Sequence, residues 1–438
     1  MTRRLSPPTA MTALILAFCL PAGAAEPVRM TLLTNRTGPG AAIGARVANG
    51  VHDYLEMLNQ RDGGIGGVPL QLEECEVASE VERARACYAA ARAAGTVLIT
   101  TPDRGITQDL LAPAARDRIP LLSLADGFPA GTRGDLLPWV FNPSATVLGG
   151  ITIAIRYLAD RLGGLSELQG LSIGLVYSHA GADPSALAIL QELGARYGFS
   201  TPLFADDETE AGNAALWTRI AAARPDHVIL LGQGARSGAS VEEALKVDVP
   251  PDRMIALRWP DQDGIRRTGS ASRGFKEVSR HAFGDAFPAF DAIDTFVADR
   301  GLSSTPKDGS GETHYNRGVY NAVLAAEAIA EAQRARRGAP LRGEDVRLAF
   351  EGLSIDDSRW KGLGLAGFAH SITFTCRDHG GRPSGFVQVW GGAKWLRAAE
   401  GVAQMNDLVD ARLDAVVADF RIVNPTLPAR TEPCGSPP

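Results

Sequence analysis

The chain has 438 residues, of which 44 are Lys or Arg and 50 are Asp or Glu, giving a formal net charge of -6. That acidic balance argues against nucleic acid and anionic membrane surfaces as partners, since both are polyanions. The length exceeds the roughly 250 to 300 residues at which a single core stops growing, so two lobes are expected.

At the N-terminus, Arg3 and Arg4 precede the apolar run from Ala13 to Leu20, then Pro21 and the small residues Ala22-Gly23-Ala24-Ala25. This is the pattern of a secretory signal peptide over residues 1–25. The run is far shorter than the roughly 20 residues of a spanning helix, so no membrane insertion is expected after cleavage. Phe18 stands before Cys19, where a lipidation signal would need a small residue, which puts Cys19 in the discarded segment. Loss of Arg3 and Arg4 takes the net charge to -8, with 42 basic against 50 acidic residues. Four cysteines remain, Cys75, Cys87, Cys376 and Cys434, an even number for an oxidising compartment. Proximity along the chain favours Cys75 with Cys87 and Cys376 with Cys434. No CxxC or HxxxH spacing occurs, so no metal is expected.

From Val28 onward, short β-branched or aliphatic runs alternate with longer helical patterns, the signature of βαβ units around mostly parallel sheets. Strands are expected at 28–33, 68–73, 97–100 and 121–124. A helix at 45–59 carries Val47, Val51, Leu55 and Leu58 at helical spacing and ends at the turn Asp62 to Gly67. Further helices are expected around Cys87 and at 110–116. The pattern restarts after Phe141-Asn142-Pro143, with a helix at 147–162 and strands at 171–177, 227–231 and 254–257. Helices at 186–196 and 241–246 separate them. Residues 275–350 read as mainly helical, and 372–376 with 386–390 as a hairpin-like pair around Asp378 to Gly381. Residues 401–438 read as an added helix, 405–420, and a Pro-rich tail that a Cys376 to Cys434 bridge would pin.

The opening Leu33-Thr34-Asn35-Arg36-Thr37-Gly38-Pro39, then Asn49-Gly50 and Asn59 to Gly67, resembles the start of leucine/isoleucine/valine-binding-type periplasmic proteins. Gly105-Ile106-Thr107, Pro120 to Ser123, Tyr315 to Gly318, Cys376 to His379, Trp390 and Trp395 extend the resemblance over about 28–400. It implies an α/β protein of two Rossmann-like lobes with parallel-sheet cores joined by a three-crossing hinge, the type I periplasmic binding protein architecture. Lobe one would be 27–142 plus 274–352, and lobe two 143–273 plus 353–400, followed by the tail 401–438.

Open α/β sheets bind ligands beyond the carboxyl ends of their strands. In lobe one the loops there are Asn35-Arg36, Asp103 to Thr107 and Ala125 to Phe128. The resemblance implies ligand contacts from Gly105, Thr107, Ala125 and Gly127. Arg104 departs from it, standing where a short hydroxyl residue is expected. It is either a clamp on a ligand carboxylate or a solvent-facing partner of Asp103 or Asp126. In lobe two the loops hold His179, Gln233, Trp259 and Asp261. Trp259 could stack on a ligand or pack in the core, and His179 is either a titratable donor or structural. Ala182 replaces the aromatic lid residue of relatives, which speaks against a standard branched-chain amino-acid pocket.

The implied function is that of the periplasmic solute-binding component of an ABC uptake transporter. It would be a monomer without cofactor that captures a branched-chain or other apolar amino acid, or a related small carboxylate or amide, for an inner-membrane ABC permease. Catalysis is not expected. No nucleophile elbow or P-loop is present, and after Gly232-Gln233-Gly234 the residues Ala235-Arg236-Ser237 break the dinucleotide fingerprint. A soluble ligand-binding partner of a sensor is one alternative expectation, and an exported enzyme the other.

Overall fold

A computed structural model describes residues 26–434, except 39, 125–127, 144–145, 179–182, 232–236, 258–261, 307–308 and 429. The expected signal segment 1–25 lies outside the described residues. The first lobe opens with β1 (Val28–Thr34), α1 (Ala41–Asp62), β2 (Leu70–Glu76), α2 (Val81–Ala93) and β3 (Leu98–Thr101). The short α3 (Arg104–Asp109) and α4 (Leu111–Asp117), β4 (Leu121–Ser123) and β5 (Val140–Phe141) follow. Its strands form one parallel sheet in the order β2-β1-β3-β4-β5. After α1, Gly63 and Gly64 adopt φ of 70° and 98°, and a Cβ on Gly64 would lie 2.0 Å from the Val68 carbonyl oxygen. Glycine is the residue that turn admits.

The second lobe contains α5 (Val147–Leu162), β6 (Ile173–Ser178), α6 (Pro184–Tyr197), β7 (Leu203–Asp206), α7 (Glu210–Ala223) and β8 (His227–Leu231). It continues through α8 (Ser237–Lys246), β9 (Met254–Ala256), α9 (Gln262–Thr268) and β10 (Lys276–Ser279). The chain then returns to lobe one for α10 (Pro288–Ile293), α11 (Thr313–Arg336), α12 (Gly343–Phe350), β11 (Ser354–Ile355), α13 (Asp357–Gly362) and β12 (Ile372–Thr373). A third crossing adds β13 (Gly385–Trp390), β14 (Trp395–Val402) and α14 (Asn406–Val423) to lobe two. The second sheet runs β14-β13-β10-β9-β8-β6-β7 and is parallel apart from β13, which runs antiparallel to both its neighbours, β10 and β14.

Three expectations are corrected here. The second crossing falls after Ser279, not before residue 274, because Lys276–Ser279 pairs with β9 and β13 in the lobe-two sheet. Its polar Lys276 and Glu277 hid that short strand. Residues 353–374 belong with lobe one, where Leu353, Ile355, Trp360, Phe368 and Phe374 join the core beneath α11. Residues 372–376 and 386–390 do not pair. β12 pairs with β11, and β13 turns through Gly391 to Lys394 into β14.

α1 and α11 cross almost backbone to backbone. A Cβ on Gly50 would sit 2.1 Å from the Tyr315 carbonyl oxygen, and one on Gly318 would sit 2.1 Å from that of Val47. This contact fixes the start of α1 over the carboxyl end of the sheet. One core fills the α1–α11 face of lobe one, and another surrounds Trp217 and Phe275 in lobe two. A third runs from Ile99 and Leu121 through Phe128 and Val140 into α5 and α6, and continues under Leu408, Leu413 and Val417 of α14.

Candidate functional site

At the carboxyl ends of β1, β3 and β4 lies a cavity of about 240 Å³. It is bounded by the end of β1 and Asn35, the start of α1, Ser79, Pro102-Asp103 and Leu124. Glu76 shapes the loop above it. Its carboxylate accepts hydrogen bonds from the amides of Arg36 (2.7 Å) and Thr37 (3.0 Å) and the hydroxyls of Thr34 (2.9 Å) and Thr37 (2.8 Å). Burial alone would raise the Glu76 carboxyl, but these donors outweigh it and hold it below the usual range. Asn35 Oδ1 accepts from the Ser79 amide at 2.7 Å. The Arg36 guanidinium is bound to Glu74 and, at 2.8 Å, to Asn49. A larger groove of about 1000 Å³ lies at the opposite, amino end of the same sheet, beside Pro27, Gly95 and Val97. Its position is wrong for ligand capture in an open α/β sheet.

The turn after β3 is held from inside the lobe. Thr107 is fully buried, and its hydroxyl meets the Thr101 hydroxyl (2.7 Å), the Asp103 carbonyl (2.6 Å) and the Ser123 hydroxyl (3.2 Å). It positions the turn and is not among the residues that line the cavity. Arg104 and Gly105 are exposed on α3, away from the cavity lining, because Ile106, Thr107 and Leu110 form the buried face. Arg104 makes no ion pair with Asp103 and stands outside the lining of this cavity. Asp103, weighed from sequence only as a partner for Arg104, is the residue that lines the cavity. Its Oδ1 accepts from the Ile106 amide at 2.9 Å and caps α3, while Oδ2 is buried without a partner. Ala125, Gly127, His179, Gln233, Trp259 and Asp261 lie outside the described residues.

At the cleft mouth, Arg46 of α1 forms an ion pair with Asp263 of α9, joining the lobes. The same guanidinium lies 3.5 Å from Glu312, a buried carboxylate that caps α11 through the amides of His314 (3.1 Å) and Tyr315 (3.3 Å). Burial would raise the Asp263 carboxyl, but Arg46 holds it below its usual value. Sequence periodicity carried no signal for this pair, whose members are 217 residues apart.

At the back, the first and third crossings are bonded to each other, and the second is bonded to α11. The Asn142 amide donates to the His379 carbonyl (2.9 Å), and His379 Nδ1 donates to the Val140 carbonyl (2.7 Å) with its ring stacked on Phe141 at 4.0 Å. Asn316 donates to the carbonyls of Ala282 and Gly284, both at 2.9 Å. The Cys376–Cys434 bridge fastens the tail, and Cys75–Cys87 joins β2 to α2 within lobe one, with Cα separations of 5.5 and 5.9 Å. Arg430 forks onto Glu351 with two 2.8 Å bonds. Burial would raise the Glu351 carboxyl, yet His379, Arg430 and Arg347 bring it down to about 2.

Two lobes of mainly parallel sheet, three bonded crossings and a cavity at the carboxyl ends of the strands define a bilobed ligand-capture protein. Residues 27–393 match the model of the periplasmic binding protein family, and the chain belongs to that family. No curated protein matches the chain. A solved structure described as an ABC transporter permease of the Pseudomonas fluorescens group shares 29% identity and a TM-score of 0.85, covering 93% of this chain and all of its own. A branched-chain amino acid ABC transporter protein from Thermus thermophilus with bound valine is 17% identical with a TM-score of 0.73, covering 89% and 99% of the two chains. A fatty acid ABC transporter substrate-binding protein from Thermomonospora curvata is 16% identical with a TM-score of 0.67, covering 88% and 94%.

Proposed function

We propose that the mature chain is the periplasmic solute-binding component of an ABC uptake transporter, closing its lobes on a small organic ligand and presenting it to an inner-membrane permease. The observation that carries this reading is the cavity at the carboxyl ends of β1, β3 and β4, beneath a cleft whose lips meet at Arg46 and Asp263. Export rests on the signal pattern of residues 1–25. The mechanism is a population shift. A ligand that touches both lobes gains its full contacts only when they close, and so selects the closed state.

Two structural neighbours described by such different ligands as valine and a fatty acid make the fold a poor guide to the ligand. The lining is the better guide. Leu32, Leu33, Ile43, Val47 and Leu124 give it an apolar body, and Thr34, Asn35, Ser79 and Asp103 give it polar edges. This suits a compact molecule with an aliphatic part and a polar end. A thermal-shift screen of the mature protein against amino acids, amines, amides and small carboxylates tests the reading. A true ligand at about 100 times its Kd adds about 2.7 kcal/mol of stability. A flat response to every class overturns solute capture and favours a partner of a sensor instead.

A further inference from the structure

Arg430, in the tail beyond α14, is buried at a joint of the hinge. There the segment entering the first crossing touches the third. The Gly134 amide donates to the Arg377 carbonyl (3.1 Å) and the His379 amide to that of Thr132 (2.8 Å), while a Cβ on Gly134 would run into the His379 ring. Glu351, just after α12, lies against this joint with its Oε1 3.4 Å from His379 Nε2. Arg347 donates to Oε1 at 2.9 Å and covers the ring of Trp139 at 5.0 Å. Oε2 is met, among the described residues, by Arg430 alone at 2.8 Å, and the same guanidinium reaches the Gly134 carbonyl at 3.3 Å. The side chains of Arg430 and Glu351 are only 9% and 8% exposed. Fastening the tail does not call for such a pair, because the Cys376–Cys434 bridge already does so. A buried ion pair adds little over apolar packing, yet loss of one partner strands a buried charge and is strongly destabilising. The pair therefore makes the geometry of the joint conditional on the tail.

The bridge that holds the tail is open to attack. Cys376 and Cys434 are half-buried beside the exposed Thr375, Arg377 and Pro433, whereas Cys87 of the other bridge is buried. Disulfide exchange requires a thiolate to reach a bridge sulfur. We propose that Arg430 is a positioning residue for lobe closure, clamping the first and third crossings through Glu351, and that reduction of Cys376–Cys434 by a dithiol withdraws it. In that step one thiolate of the dithiol attacks a bridge sulfur, and the other cysteine leaves as a thiolate. The second thiol then resolves the mixed disulfide. The dithiol is oxidised to a disulfide as Cys376 and Cys434 take up its two electrons and two protons. With Arg430 gone, Glu351 Oε2 is left without a donor and draws water into the joint. The lips meet at Arg46 and Asp263 in the arrangement the clamp holds, so its release favours parted lobes. Calling the joint a hinge rests on the solute-capture reading, but the measurement needs no ligand, so the clamp and solute capture can fail separately.

Hydrogen exchange read by mass spectrometry tests this on the mature protein before and after dithiothreitol, and on Arg430→Ala and Arg430→Lys with both bridges intact. Alkylation of freed thiols identifies the opened bridge, and Cys376–Cys434 is expected to open first. Exchange should then rise roughly tenfold or more in residues 132–142 and 376–381 and stay unchanged in α1 and α11, the mark of a local opening. Arg430→Ala should do the same with the bridge closed, and Arg430→Lys, which keeps the charge, should recover part of the protection. Small-angle scattering should show a larger radius of gyration for the reduced protein and for Arg430→Ala. A rise in exchange spread evenly over the chain would make the bridge a mere staple and overturn the proposal. Reduced or Arg430→Ala protein that exchanges like the oxidised wild type overturns it too. So does a radius that stays fixed while exchange rises, or a first opening at Cys75–Cys87.

Discussion

The two lobes are joined at the mouth and at the back by different physics. At the mouth the link is Arg46 to Asp263, whose side chains are 35% and 43% exposed to water. At the back, an apolar cluster runs unbroken from lobe one into lobe two, and α14 lies across both. Phe420 of α14 packs on Phe128 of lobe one with ring centroids 5.8 Å apart, while Asp407 pairs with Arg196 of lobe two at 2.8 Å. Arg382 of the third crossing reaches Asp410 at 2.7 Å. An exposed ion pair contributes about 0 to 1 kcal/mol and is screened by salt, whereas burial of several large apolar side chains contributes far more. The lobes can therefore part at the mouth at little cost while the back stays packed. That asymmetry is what a ligand-driven hinge requires.

The largest test is to unfasten the tail. The Cys376–Cys434 bridge closes a loop with a sequence separation of 58, for which chain entropy gives about 4 kcal/mol. The double variant Cys376→Ser, Cys434→Ser should lower the denaturant midpoint accordingly and leave the ligand ranking intact. A midpoint equal to that of the oxidised wild type would mean that the tail does not support the back.

Acid probes the same side next. His281 sits at the second crossing, buried against Phe368 and Tyr320 with Arg317 and His314 near it. Burial first, then Arg317, pushes its pKa down to about 3. Between pH 6.5 and 3 the unfolded chain takes up a proton that the folded one refuses. Stability present above pH 6.5 is thus lost as pH falls, at up to about 1.4 kcal/mol per unit. Asp263, held below its usual range by Arg46, keeps the mouth pair ionised through the upper part of that interval. Denaturant titrations at pH 7 and pH 5 should show a shallower decline for His281→Gln than for wild type. Equal slopes would remove His281 from the account.

How much of this was legible in the sequence depended on distance along the chain. The alternation of strands and helices was readable because its signals are local, as at Gly63 and Gly64, where the turn demands glycine. The location of the cleft followed from topology alone. Lys276–Ser279 was missed because its place in the second sheet comes from pairing with β9 and β13, not from its own polar residues. Of the two expectations for Arg104, its exposure agrees with the solvent-facing one. Ile106, Thr107 and Leu110 already mark the inward face of α3 and leave residue 104 outside, so the better signal was the capping residue Asp103 just before it. The Arg46–Asp263 pair belongs to neither pattern, since only the folded arrangement of the lobes brings α1 and α9 together.

That pair is also the sharpest place to break the comparison, because its expected effect is small. Arg46→Ala should weaken ligand binding no more than about fivefold, on the order of 1 kcal/mol, and the difference from wild type should shrink in about 1 M salt, where the Debye length is about 3 Å. Arg46 also approaches Glu312, so the single variant mixes this contact with the one across the cleft. A double-mutant cycle with Asp263→Ala isolates the contact across the cleft. A coupling that salt does not reduce, or a loss well beyond tenfold, would place the mouth on the same footing as the back. Closure would then be governed by a fixed contact at the lips, and the ligand would no longer be the element that decides whether the lobes meet.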